Sequence, residues 1–188
     1  MKYHFGTKLL DINVKNGVLQ SVTTSNGTFA AEVLVMATGH SARDTYSMLC
    51  ERGFELVPKP FSVGVRIEHL REDIDRAIYG KHAGDPRLGS AEYALSKRIG
   101  EDCVYTFCMC PGGTVVAASS EEGGMVVNGM SEYARDKENA NSALLVNVEE
   151  TDLEDSLFSG IEFQRKWEKA AYDISKSYKA PCQRFIDL

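Results

Sequence analysis

The densest chemistry in the 188-residue chain is the run Cys-Met-Cys-Pro-Gly-Gly, from Cys108 to Gly113. On a regular strand Cys108 and Cys110 point to one face while Phe107 and Met109 point to the other, so two thiols would stand together at a strand end beside a glycine-rich turn. Such a pair could carry thiol redox chemistry, which makes Cys108 and Cys110 the candidate catalytic residues. The alternative is that both are small buried hydrophobes, the commonest fate of free cysteine. No base adjoins them in sequence, and neither sits at a helix N-terminus, the settings that lower a thiol pKa. Metal binding has less support. Cys103, Cys108 and Cys110 lack paired C-x-x-C spacing, and His4, His40, His69 and His82 make no ligand motif.

Three other places carry candidate polar groups. Arg66 is the one basic side chain in the apolar segment Gly-Val-Arg-Ile-Glu-His, where it could face water, pair with Glu68 or hold an anionic substrate. Asn128, Ser131, Arg135 and Asn141 lie in a polar stretch in which Gly129 allows a sharp turn, so they could orient a substrate or simply shape an exposed loop. The third place is Val33 to Asp44, an apolar run that ends in Ala37, Thr38, Gly39 and His40 just before a helix start. In open α/β sheets ligands bind beyond the carboxyl ends of strands, and helix N-termini present free N–H groups to anions. These four residues are therefore the candidate wall of a phosphorylated cofactor site. Gly39 could equally do no more than make a tight strand-to-helix turn.

The elements that must position these residues are legible from periodicity. Leu10, Ile12 and Val14 alternate with polar residues, Asn16-Gly17 makes a hairpin turn, Val18, Gln20 and Val22 continue, and Asn26-Gly27 turns again. The continuous run Val33 to Met36 reads as a parallel strand covered on both faces. Ser41 and Asp44 have the spacing of a capping pair, Gly53 suits a helix C-terminus, and Tyr46, Leu49 and Cys50 share the inner face between them. Pro58 and Pro60 bracket a linker. Beyond it the pattern predicts a strand over 61–69, a short helix closed by Gly80, a loop over 81–90, a strand over 103–110 and a hairpin over 114–128. The polar segment 131–141 reads as loop or short helix, and 144–148 as another strand. A capping box at Ser159 and Glu162 opens a long amphipathic helix ending before Pro181, with Trp167 expected among its buried residues. The expected class is α+β. Residues 1–53 would form a meander with one parallel strand and a helix, and residues 54–188 a mixed sheet carrying the long helix.

Composition excludes several classes. A hydrophobic fraction of 43% with 26% charged residues is that of a globular chain, and a net charge of -6 offers no attraction for nucleic acid or anionic membranes. No apolar run is long enough to span a bilayer, and the first residues lack the apolar core of a signal peptide, which suggests a cytoplasmic protein. Five cysteines, an odd number in a chain of this size, fit free thiols in a reducing compartment. Neither G-x-G-x-x-G nor G-x-x-x-x-G-K occurs.

Several long stretches, taken in order, carry a family resemblance. ATGHSARDTY (37–46), KPFSVGVRIEH (59–69), CMCPGG (108–113), SEEGGMVVNGMSEYARDKENANSALLV (120–146) and EFQRKWEKAA (162–171) together resemble the uncharacterised bacterial FAD-dependent dehydrogenases, also called NAD(FAD)-utilising dehydrogenases. The resemblance implies a flavoprotein with two dinucleotide folds, in which residues 1–53 belong to the FAD domain and 54–188 to an inserted substrate-side domain. Ala37, Thr38, Gly39 and His40 would match a second FAD contact. It also implies a glycine-rich FAD fingerprint ahead of Met1 and a closing glycine-rich segment after Leu188. The chain is then expected to be a middle portion of a longer oxidoreductase, partnered by those segments and by a small-molecule substrate, with NAD(P)H as a candidate electron donor. Alone it should not retain FAD. The competing reading is a non-catalytic binding or interaction domain; a relation to flavoproteins that modify RNA is disfavoured by the acidic balance.

Overall fold

The computed structural model describes residues 1–39 and 41–188, so that His40 lies outside the described residues. The chain divides into two compact units, Met1–Val57 and Pro58–Leu188.

The first unit is an antiparallel meander of β1 (Leu9–Lys15), β2 (Val18–Thr24) and β3 (Gly27–Ala30), followed by helix α1 (Arg43–Glu51). Asn16 and Gly17 both take positive φ, 53° and 74°, which is what a two-residue turn between right-twisted strands requires. Ile12, opposite Val22, is the buried apolar residue of this unit. The helix is tied back to the meander by charge. Arg52 Nε donates to Asp11 Oδ1 at 2.6 Å, its Nη2 completes a bidentate pair with Oδ2, and Lys8 meets Asp44 at 2.5 Å. Gly53 closes α1 in the left-handed region, as its position suggests. The N-terminus differs from expectation: the cap is Ala42 and not Ser41.

The run Val33 to Met36 is the larger departure. It belongs to no strand, and Val33 and Val35 are 80% and 84% exposed. An apolar run becomes a buried strand only where a neighbour takes up its N–H and C=O groups, and the described residues of this unit supply no such neighbour. The parallel strand anticipated here is therefore absent.

The second unit is organised on a four-stranded sheet in the order β4 (Phe61–Leu70), β9 (Asn139–Val148), β6 (Asp102–Cys110), β5 (Ser96–Ile99). Every pairing is antiparallel, not mixed. The α+β class holds. Helix α2 (Arg71–Tyr79), closed by Gly80 at positive φ, packs its Ile74, Ala77 and Ile78 toward the face bearing Ile67 and Leu144. On the other face sits the hairpin of β7 (Gly113–Ala117) and β8 (Val127–Ser131). Segment 139–141, read as the end of a loop, is instead the start of β9, where Ala140, Asn141 and Ser142 are fully buried.

Helix α3 (Ser159–Ser175) packs Phe163 edge-on to Phe61, with ring centroids 6.0 Å apart, while the Met125 amide donates to the Glu168 carbonyl. Two details differ from the sequence reading. Ser159 lies inside the helix and donates to the Ser156 carbonyl, so Phe158 is the cap and no capping box forms. Trp167 is 55% exposed: its ring meets Phe163, in a T-shaped contact, and the Lys166 ammonium, which leaves most of it uncovered. Among the described residues no helix is long and apolar enough to cross a membrane.

Candidate functional site

Strand β6 begins regularly, with Val104 to Phe107 opposite Val146 to Ala143. Its next pairing is Cys110 with Asn141, three residues on along β6 but two along β9, so one extra residue is accommodated. Cys108 takes it, at a φ of 48° that side chains other than glycine rarely adopt. This bulge corrects the expected display of the thiols. A single inserted residue inverts the side-chain alternation beyond it. Cys110 thereby joins Phe107 and Asn141 on one face and is buried, while Cys108 is left exposed at the kink. The two thiols are not presented together on a flat strand face.

Arg66 fastens the kink. On β4 it lies opposite Ala143, one diagonal step from Asn141. Its Nη1 and Nη2 each donate to the Cys108 carbonyl at 3.3 Å, Nη1 donates to Asn141 Oδ1 at 2.5 Å, and the Cys110 Sγ is 3.9 Å away. Burial pushes the Cys110 thiol pKa up, with the Arg66 charge pulling the other way. Cys110 is thus held as a thiol, which disfavours it as a nucleophile.

The hairpin closes over this group with glycine. A Cβ added to Gly129 would come within 2.1 Å of Arg66 Nη1 and 2.3 Å of Asn141 Oδ1. Gly129 is thus the point where a second backbone crosses the Arg66–Asn141 pair, within β8 and not in the turn its sequence context suggested. Gly112, at a φ of 53°, likewise meets the backbone of Arg135, and Ser131 Oγ donates to the Pro111 carbonyl at 2.8 Å. Of the polar residues singled out by sequence, Arg66, Cys108, Cys110 and Asn141 come together, with Ser131 anchoring the neighbouring turn. Two do not join them. Asn128 is exposed and accepts from the Gly129 amide, and the Arg135 side chain turns away to an ion pair with Glu92.

On the opposite sheet face an apolar groove of about 570 Å³ runs between α2 and the strands. At its side His69 Nε2 and the Tyr93 hydroxyl are 2.7 Å apart, and desolvation raises the Tyr93 pKa. The sequence does not signal this pair, since His69 belongs to no ligand motif and Tyr93 follows a loop with no pattern of its own.

In the first unit, Ala37, Thr38 and Gly39 are exposed and belong to no strand. Gly39 has a φ of 79°, and a Cβ there would meet nothing within 4 Å. Open space before a left-handed glycine, with backbone groups outside any ladder, fits close approach by a phosphorylated cofactor.

The family model described as "FAD-dependent protein, C-terminal domain-like" matches residues 60–188. An uncharacterized protein of Clostridium beijerinckii is 46% identical over 190 residues, covering 98% of this chain and 36% of its own length. The chain thus spans about a third of the length of that relative. It belongs to the family of FAD-dependent protein C-terminal domains.

Proposed function

We propose that the chain is part of an FAD-dependent oxidoreductase, a dehydrogenase of a small-molecule substrate, in which the second unit serves the substrate and the end of the 33–39 run serves the cofactor. The observation that carries the reading is the convergence of Arg66, Asn141 and the Cys108 bulge inside the region matched by the family model. FAD, when bound, supplies the two-electron carrier that no side chain of the chain provides. The residues here bind and orient. Ala37, Thr38 and Gly39 would offer backbone to the cofactor phosphates, with His40, the next residue in sequence, a further candidate. Arg66 holds the bulge and presents a guanidinium edge, and Asn141 fixes that guanidinium through its amide oxygen.

Cys110 acts in this reading as packing and not as a redox partner, since it is buried and kept protonated. Of the two thiols at the bulge, Cys108, exposed on the kink, is the one that could reach a bound molecule. The test uses a polypeptide carrying the sequence on both sides of the chain. It should purify yellow, release FAD on denaturation and be reduced by NAD(P)H, whereas the 188-residue chain alone should be colourless. A colourless long polypeptide that does not take up added FAD overturns the reading.

A further inference from the structure

Arg66 is a half-buried cation whose hydrogen-bond partners among the described residues are all neutral: a carbonyl, an amide oxygen and a thiol. A charge taken partly out of water normally carries an opposite charge with it. The second anomaly lies beside it. Asn141 is fully buried, its Oδ1 is committed to Arg66, and its Nδ2 has no hydrogen-bond partner. Rotating the amide would set its NH2 against the guanidinium, donor against donor, so the orientation is fixed by chemistry. A cation with no ion pair among the described residues and an orphan donor two bonds from its partner oxygen therefore share one place.

We infer that the Arg66–Asn141 pair is a binding site for a carboxylate, one oxygen taken by the guanidinium and the other by Asn141 Nδ2. This rests on the substrate-side reading of the second unit and makes the substrate an organic acid. A planar carboxylate fits because its two oxygens diverge from one carbon, matching a guanidinium edge and an adjacent amide. The guanidinium is bonded to the carbonyl of exposed Cys108, so that end of the site borders the surface. Asn141 is enclosed, so the second contact forms only when the hairpin yields slightly, and Gly129 keeps that cover to bare backbone.

The test needs no flavin. In the 188-residue chain, the side-chain N–H signals of Arg66 and Asn141 are followed by NMR at constant ionic strength during addition of benzoate, its neutral isostere benzamide, or inorganic phosphate. Benzoate should move both signals saturably, benzamide neither, and phosphate should move Arg66 alone. Arg66→Lys, which keeps the charge but loses the fork, should weaken benzoate at least tenfold. Asn141→Asp, which supplies an internal carboxylate, should abolish the response. Equal effects of benzoate and benzamide, no response at either residue, or phosphate acting on both would overturn the inference, whatever the flavin content of the longer protein. A yellow long protein with no benzoate response would leave the oxidoreductase reading standing and remove only the carboxylate.

Discussion

The runs Val33–Met36 and Cys103–Cys110 are both largely apolar, both are followed within three residues by a glycine and both read as strands, yet only the second becomes one. Strand β6 lies between β5 and β9 and is paired on both edges. The first run has no ladder, and two of its valines stand more than three-quarters exposed. Hydrophobicity makes a segment willing to be buried, but backbone pairing decides whether it is. A second contrast follows. Where the ladder exists, the protein can afford a bulge, and the bulge is what brings Cys110 onto the face that Arg66 and Asn141 already share through the β4–β9 pairing.

The sharpest way to break the second region is at its closest crossing. Gly129→Val places carbon where Arg66 and Asn141 already stand. A loss of roughly 3 kcal/mol or more is expected, read as a lower urea midpoint of the second unit. The paired thiol variants come next. Cys110→Ser buries a hydroxyl in a packed site and should cost about 1–2 kcal/mol, while Cys108→Ser at the exposed kink should be nearly neutral. Similar losses for both would contradict the inverted display of the two side chains.

The first region should be more sensitive to acid than to apolar substitution. Hydrogen bonding from Arg52 and the Ile12 amide holds the Asp11 carboxyl below its usual value. Its folded pKa is depressed, so its contribution is complete above the unfolded value of about 3.9 and is lost as pH falls through the folded value. Acid titration of the first unit should show this loss, and Asp11→Asn should remove it while lowering stability at neutral pH. The smallest effect is expected from Val35→Thr, within about 0.5 kcal/mol by thermal unfolding, since the side chain touches mainly water. A larger loss would mean that the run is buried after all.

Much of the second unit was legible because its signals are local: alternation on β4, Gly80 closing α2, the turn after Cys110. The site was legible only by residue type. Arg66, Cys108, Cys110 and Asn141 stood out, but their meeting depends on a one-residue bulge that alternation cannot reveal, because Cys108 takes a left-handed conformation in a residue with no special liking for it. Gly129 looked like a turn former, since sequence shows a missing side chain without showing what crosses it. Trp167 kept its helical spacing but lacked enough opposing surface to be covered. The orphan nitrogen of Asn141 has no sequence signature at all.

The proposed division of labour between the two regions is tested most directly by flavin content in the longer polypeptide. Gly39→Val demands a φ of 79° from a β-branched residue and puts methyl groups into the open space before the backbone. The account predicts a folded, colourless Gly39→Val protein, beside an Arg66→Lys protein that carries one FAD per chain and turns over poorly. Full flavin in the Gly39→Val variant together with its loss from the Arg66→Lys variant would contradict the account.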